Sequence, residues 1–358
     1  MLLRHKFMFL NLRYILLLPF SFLFGMITFI RHKLYDYKIL SSVKYDDIFV
    51  ISVGNITVGG TGKTPFVEYL LQELSPKHSV AVLSRGYKRT TRGFLFVDDN
   101  ISAEMAGDEP SQIKQKFKNI TVAVDVDRVR GIEHIREKYP ATKVIILDDA
   151  FQYRKIIPNL SILLVDYNRP LYRDSMLPGG NLREWTIFAK RADIMVISKT
   201  PENFSAIEQS LIKERYAKIC KREIFFTTIQ YGDPMALFSN AKELATQDIA
   251  EYAVLLISGI ANPKPFQNYI GKMTASVQTM AFEDHHAYTE KDALRIVEKW
   301  NNIQKTKKIL LTTEKDAVRL KHILFPETIA KRVYYIPIEV KIINQEKIFK
   351  NEQTLSFI

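Results

Sequence analysis

Residues 48–65 read IFVISVGNITVGGTGKTP, and the fold is decided there. Ile48–Val53 is an apolar, β-branched run, as expected of a strand buried on both faces. Gly54 to Gly62 is a glycine-rich turn. A helix follows from Thr64, where Pro65 suits the first turn because its missing N–H needs no partner there. Strand, loop and helix in that order are the setting of a phosphate-binding loop. Glycines let backbone N–H groups turn around phosphate oxygens, and the helix N-terminus adds a partial positive charge. Thr57, Val58, Gly59, Gly60, Thr61, Gly62, Lys63 and Thr64 are therefore the candidate nucleotide site. Lys63 reaches for the β- and γ-phosphates of ATP and Thr64 for Mg²⁺. The strict motif wants glycine at position 57, where Thr57 stands, and Gly59 and Gly60 supply flexibility nearby. The competing reading is a connector that binds nothing.

Outward from this loop, strand-like runs recur at Val80–Ser84, Thr121–Val124, Val144–Leu147, Ser161–Val165, Ile194–Ser198, Ile224–Ile229, Tyr252–Ser258, Ser276–Phe282, Lys308–Thr312 and Val333–Ile338. Helical segments such as Phe66–Leu74 and Arg128–Lys138 lie between several of them. The alternation predicts an α/β fold: a P-loop NTPase-like, mostly parallel sheet with helices on both faces and a second, smaller α/β lobe. The expected division is 1–44 as a membrane-associated helix and basic linker, 45–200 as the nucleotide core, and 201–358 as the second lobe.

The run from Val144 ends in Asp148 and Asp149. In a P-loop enzyme such a strand lies beside the loop strand and its acid serves Mg²⁺. Adjacent residues at a strand end face opposite ways, so the two acids have different tasks. The competing reading is a solvated turn or a helix cap. Gly107-Asp108-Glu109-Pro110 places two more acids before a helix, where Asp is also a good cap. Glu109 is a further candidate metal ligand beside Thr64, Asp148 and Asp149. Asp284-His285-His286 sets histidine beside carboxylate, suited to proton transfer near neutral pH; a surface loop is the plain alternative. Arg85, Arg128, Arg183 and Lys315 fall in loops or at strand ends and are candidate phosphate contacts, each otherwise a solvated charge.

The chain has 358 residues, 47% hydrophobic and 25% charged, which fits a globular protein with a core. Cys220 is the single cysteine, so no internal disulfide forms, in keeping with a reducing compartment. A net charge of +12 favours acidic partners: nucleic acid, anionic lipid or phosphorylated substrate. Tyr14–Ile30 carries no charge and is near the length of the shortest spanning helices. Arg4, Lys6 and Arg13 precede it, and Arg31 and Lys33 follow. Pro19 and Gly25 interrupt it, and both flanks are basic. A spanning helix, a helix dipping into one leaflet with its cations at anionic headgroups, a buried core helix and a signal peptide all compete for this segment.

In their order along the chain, Val53-Gly54-Asn55, Gly59-Gly60-Thr61-Gly62-Lys63-Thr64-Pro65, Ser84-Arg85-Gly86-Tyr87, Gly107-Asp108-Glu109-Pro110, Asp148-Asp149-Ala150-Phe151-Gln152, Leu182-Arg183-Glu184, Asp284-His285 and Thr313-Glu314-Lys315-Asp316-Ala317-Val318 resemble the tetraacyldisaccharide 4'-kinase family of lipid A biosynthesis. The resemblance extends over nearly the whole chain. It implies transfer of the ATP γ-phosphate, with Mg²⁺, to the 4'-hydroxyl of a tetraacylated, 1-phosphorylated glucosamine disaccharide. It also implies attachment to the cytoplasmic face of the inner membrane of a Gram-negative bacterium. Asp108 is then the base, His285 its partner and Lys63 the phosphate-neutralising cation, while Arg85, Tyr87, Arg128, Gln152 and Arg183 contact substrate. Two residues depart from the pattern: Ala150 replaces a common glycine, and Tyr153 stands where a histidine is expected. The expected partners are the lipid-linked disaccharide and an anionic membrane surface, with no nucleic acid and no obligate protein partner.

Other functions remain to be weighed. A membrane-surface P-loop ATPase switch carries a second lysine early in its loop, where this chain has Val58. A nucleic-acid-dependent NTPase would account for the charge but not for the apolar N-terminal helix. A scaffold with a dead loop does not fit the presence of Lys63, Thr64, Asp148 and Asp149.

Overall fold

The computed structural model describes residues 2–98, 100–219, 223–239, 241–345 and 348–349, with the backbone alone for residues 2–14 and 345. Cys220 and the side chains of Arg4, Lys6, Arg13 and Tyr14 lie outside the described residues.

The chain begins with helix α1 (Leu2–Asp36) and enters the first sheet at β1 (Phe49–Gly54). There follow α2 (Lys63–Leu74), β2 (Val80–Ser84), β3 (Leu95–Val97), α3 (Ala103–Ala106), α4 (Asp108–Lys116) and β4 (Thr121–Val124). The next elements are α5 (Arg128–Lys138), β5 (Val144–Asp148), β6 (Leu160–Asp166), β7 (Ile194–Ser198), α6 (Ala206–Ala217) and β8 (Glu223–Tyr231). The chain then builds β9 (Met235–Ala236), β10 (Ala253–Ser258), α7 (Lys264–Met273), β11 (Val277–Ala281), α8 (Glu290–Asn301), β12 (Lys308–Thr313), α9 (Glu314–Leu320) and β13 (Val333–Ile336), and returns in β14 (Ile338–Ile342).

Nine strands form one sheet in the order β14-β8-β7-β6-β1-β5-β2-β4-β3. It is parallel except at its two edges, where β3 and β14 run antiparallel to their neighbours. β1 pairs with β5 on one side and β6 on the other, so the chain order reverses at β1. In such a sheet the ligand crevice lies beyond the carboxyl ends of the strands at that point, where the glycine loop sits. Phe49, Ile51 and Val53 pack against Phe66, Val67, Leu70 and Leu71 of α2. Val50, on the opposite face, joins Ile132 and Ile135 of α5. Both faces are thus covered by apolar side chains, as a parallel sheet requires.

The second sheet has the order β11-β10-β12-β13-β9. Its position corrects the expected boundary at residue 200. β8 pairs in parallel with β7, and β14 pairs with β8, so residues 223–231 and 338–342 belong to the first sheet. The second lobe is the excursion between them. The run Val333–Ile338, read as one strand, is two: β13 ends in one sheet and β14 begins in the other, with Pro337, which has no N–H to donate, at the crossing. The lobes meet where Lys116 of α4 pairs with Glu68 of α2 at 2.7 Å and Glu314 of α9 at 3.2 Å. Burial, followed by the repulsion of Glu314, pushes Glu68 up to about 7.

α1 docks along one side of the first lobe by a narrow stripe. Ser21, His32 and Tyr35 are buried, at the spacing that puts residues on one helix face. Ser21 Oγ accepts a hydrogen bond from the Gly179 N–H at 2.9 Å. Gly25 lies against the Trp185 indole so closely that a Cβ would come within 2.6 Å of the ring. His32 Nδ1 faces the guanidinium groups of Arg154 and Arg191, which only donate, so Nε2 carries the proton and donates to Glu184 at 2.7 Å. Ile15, Leu16, Phe20, Phe22, Leu23, Ile27 and Ile30 remain exposed. Ile15–Asp36 is long and apolar enough to cross a membrane.

Candidate active site

The glycine loop is held from behind. Val58 N–H donates to the Asn181 carbonyl at 2.8 Å, and Arg183 N–H donates to the Ile56 carbonyl at 2.7 Å, so the segment around Thr57 is stitched to residues 181–183. Arg169 Nη1 donates to the Val58 carbonyl at 3.1 Å, Ser198 Oγ to that of Thr61 at 2.7 Å, and Lys199 Nζ to that of Gly60. Drawing carbonyls outward in this way leaves the loop's N–H groups to face a phosphate. Gly62, at φ 83°, turns the chain into α2 through the left-handed region. Val58 is a correction within the expected phosphate cradle, because its N–H is already spent on Asn181. Thr57 is likewise buried, with its hydroxyl turned to the Asn55 side chain at 3.3 Å. The loop from Gly59 to Thr64 is the part left for a ligand.

Lys63 lies between Asn55 Oδ1 at 3.2 Å and Asp149 Oδ1 at 3.3 Å. Asp149 also takes Arg183 Nη1 at 3.2 Å. Burial alone would raise the Asp149 pKa, but Lys63 and Arg183 together hold it below the ordinary carboxylate range. Asp148 has the opposite environment. It is buried, one oxygen accepts from Ser84 Oγ at 3.2 Å, and the other has no hydrogen-bond partner. Burial, then the adjacent Asp149, push it up to about 6.

That orphaned oxygen is a test of fit for Mg²⁺. A buried carboxylate oxygen with no donor calls for a cation. Mg²⁺ needs only one or two carboxylates, because phosphates and waters complete its shell. Among the described residues no three His, Cys, Asp or Glu side chains converge on one point, which agrees with that sparse donor set. Thr64, half-buried in the first turn of α2, is the other candidate donor. Glu109 does not join them: its carboxylate is turned to Lys315 Nζ at 3.3 Å, although its charge is felt at Asp148.

Asp108 opens α4, immediately after Gly107. His285 of the second lobe places Nδ1 at 2.8 Å from Asp108 Oδ2. Arg319 of α9 places Nε at 3.1 Å from the same oxygen, an ion pair without hydrogen-bond alignment. Burial would raise the Asp108 pKa, but the His285 hydrogen bond and the charges of Arg319 and Lys315 outweigh it and keep the acid ionised. Both contacts fall on Oδ2, and from the described residues Asp108 Oδ1 accepts no hydrogen bond. Asp149 and His285 both hold left-handed backbone, φ 49° and 63°, a conformation that collects at functional sites.

The expected substrate contacts divide. Tyr87 is exposed and presents its ring edge to His285 at 5.7 Å between centroids. Arg85 is exposed at the end of β2, and Arg128 is buried with Nε unpartnered, close enough to feel the charges of Asp148 and Asp149. All three follow the carboxyl ends of β2 and β4, the side of the sheet on which a ligand crevice lies. Gln152 does not offer its amide to a ligand, since Nε2 donates to the Asn55 carbonyl and to Glu184, each at 2.8 Å. Arg183 is committed to Asp149. Tyr153 lies a layer behind the crevice: its hydroxyl donates to Asp127 Oδ1 at 2.8 Å and accepts from the Arg128 N–H at 3.0 Å, and its ring lies beneath the Arg128 guanidinium.

Two structural contributors, Lys199 and Arg169, had no signal in the sequence, and Glu184 was visible only as part of the Leu182-Arg183-Glu184 segment. Glu184 is fully buried and joins His32, Gln152 and Arg191. Lys199 and Arg169 come to the loop only through the pairing of β6 and β7. Arg319 was legible in principle, one turn beyond Lys315 on the same helix face.

Residues 13–354 match the family described as LpxK, tetraacyldisaccharide-1-P 4'-kinase. The chain is similar to the tetraacyldisaccharide 4'-kinase of Phocaeicola vulgatus, 40% identical over 343 residues, 94% of this chain and 93% of that one. It is 41% identical to the enzyme of the same name from Flavobacterium johnsoniae over 339 residues, 95% and 96% of the two chains. Its fold is similar to a solved structure of LpxK from Aquifex aeolicus in complex with ATP, with a TM-score of 0.73, 30% identity, and 96% and 98% of the two chains covered.

Proposed function

The chain belongs to the tetraacyldisaccharide-1-P 4'-kinase family, and we propose that Lys63, Asp108 and His285 carry out its reaction. The enzyme transfers the ATP γ-phosphate to the 4'-hydroxyl of a tetraacyldisaccharide 1-phosphate in lipid A biosynthesis. The observation that carries the assignment is the Asp108 carboxylate, kept ionised by His285 and Arg319 with one oxygen free. An ionised acceptor of that kind takes the hydroxyl proton as the oxygen attacks phosphorus. The new P–O bond forms as the bond bridging the β- and γ-phosphates breaks, and ADP leaves. Lys63 exchanges Asp149 for the phosphate oxygens and neutralises their charge. Asp148 and Thr64 would hold Mg²⁺, which when bound spreads the charge of the β- and γ-phosphates. Arg128, Arg85 and Tyr87 orient the acceptor, and most of the rate comes from alignment and charge neutralisation.

α1 supports a seat on the cytoplasmic face of a Gram-negative inner membrane. From Ser21 to Asp36 the helix is fixed to the body, so that part cannot cross a bilayer unless the body enters it. Its exposed apolar face lies in one leaflet instead, with Arg31 and Lys33 at the anionic headgroups. The need for ATP places the body in the cytoplasm.

Phosphate release tests the kinase reading against an ATPase switch. With purified enzyme and Mg-ATP, consumption of ATP should depend on the tetraacylated acceptor, and the phosphate should appear at the 4'-position by ³¹P NMR. Equal release of free phosphate without lipid would favour the switch.

A further inference from the structure

His285 makes a second contact that the base-and-partner scheme leaves unused. Its Nε2 lies 3.0 Å from Lys315 Nζ. An ammonium only donates, so Nε2 is the acceptor and the ring proton sits on Nδ1, pointing at Asp108 Oδ2 2.8 Å away. Lys315 is held in turn by Glu109 Oε1 at 3.3 Å and Asp284 Oδ1 at 3.7 Å. The other groups facing the ring are the Tyr87 edge and the Asp284 carboxylate, 3.8 Å from Nε2. Arg319, fixed by Asp316 Oδ1 at 3.2 Å and the Gly259 carbonyl at 3.3 Å, secures Asp108 from its other side.

We propose that Lys315 is a positioning residue for phosphoryl transfer: by donating to His285 Nε2 it fixes the Nδ1–H tautomer, which turns Asp108 Oδ2 to the ring and leaves Asp108 Oδ1 as the atom that receives the hydroxyl proton. This rests on the reading of Asp108 as the base. It also assigns the proton's destination within the pair. His285 does not take it, because Nδ1 already carries a hydrogen and the Nε2 lone pair is engaged. Without Lys315 the nearest polar group to Nε2 is the Asp284 carboxylate, which draws a proton onto Nε2. The ring then loses its fixed tautomer, and Asp108 loses its alignment.

The test uses the full-length enzyme labelled with ¹⁵N-histidine, with the His285 signals identified by their loss in His285→Gln. Long-range ¹H–¹⁵N spectra should show the Nδ1–H tautomer in the wild type. Lys315→Met should lose that signature and lower kcat about 100-fold, the cost of a misplaced catalytic group, with the KM for ATP little changed. Lys315→Arg, which keeps a cationic donor, should restore the tautomer and most of kcat. A Lys315→Met enzyme with wild-type kcat, or one that loses kcat while the ring stays Nδ1–H, would overturn the proposal. Asp108→Asn is measured alongside: full activity there removes the base assignment itself, whatever the ring does.

Discussion

Two neighbouring acids at the end of β5 show how far residue type alone informs. Asp148 and Asp149 are identical in sequence terms, and strand alternation says only that they face different ways. Burial and partners separate them: Asp149 is satisfied by Lys63 and Arg183, while Asp148 is buried with one oxygen unpaired. The sign of the pH effect follows. In the metal-free protein the folded pKa of Asp148 lies above its ordinary value, near 6. It costs nothing while protonated below the unfolded pKa, and the penalty builds as pH rises through about 6. Metal-free Asp148→Asn should therefore be the more stable protein at pH 7.5, by on the order of 3 kcal/mol for a shift of about two units. Mg²⁺ should raise the Tm of the wild type and not of the variant. An unchanged Tm on removing the carboxylate would mean that Asp148 is not the uncompensated charge. Gln152 and Val58 show the opposite limit. Their positions in motifs are legible, but their hydrogen-bond capacity is taken up by Glu184, Asn55 and Asn181, which only the fold brings near.

Elements with strong periodicity were legible, and short or shared ones were not. The β1–loop–α2 unit lies where the sequence places it, and α5 spans Arg128–Lys138 as read. β3 and β9, three and two residues long, have too few positions to show alternation. The boundary at residue 200 failed because β8 and β14 carry the same apolar pattern whichever sheet they join; strand pairing, not composition, assigns them. For α1, apolar length could not separate a spanning helix from a docked one. The docking rests on a small residue meeting a large one: Gly25 beneath Trp185. Gly25→Leu has no room without displacing the indole. It should lower Tm, overpacking of this kind costing about 1–3 kcal/mol, and should raise protease sensitivity near residue 36. Unaltered thermal unfolding and proteolysis would show that the helix is not held by this stripe.

At the scale of the whole molecule, the site is divided between lobes. Lys63, Asp148 and Asp149 belong to the lobe of the large sheet, while His285, Lys315 and Arg319 come from the lobe of the smaller one. They meet over α4, whose first residue is Asp108 and whose last turn holds Lys116 against Glu68 and Glu314. The sequence order of motifs pointed to the family, the loop's own chemistry to Lys63 and Thr64, and the resemblance to the roles expected of Asp108 and His285. The resemblance named His285 of the second lobe, 177 residues away, as the partner of Asp108; that Arg319 joins it and that Lys315 backs the ring was not legible, because those contacts depend on tertiary approach. The most direct measurement follows label from γ-labelled ATP into tetraacyldisaccharide 1-phosphate, using wild type, Lys63→Ala and Asp108→Ala in detergent with Mg²⁺. The lipid should be labelled by the wild type. Asp108→Ala should be slower by about 10²–10⁴-fold in kcat, the range of a positioned general base, and Lys63→Ala by at least as much. Near-wild-type labelling by Asp108→Ala would contradict the assignment of the base, and with it the two-lobe site.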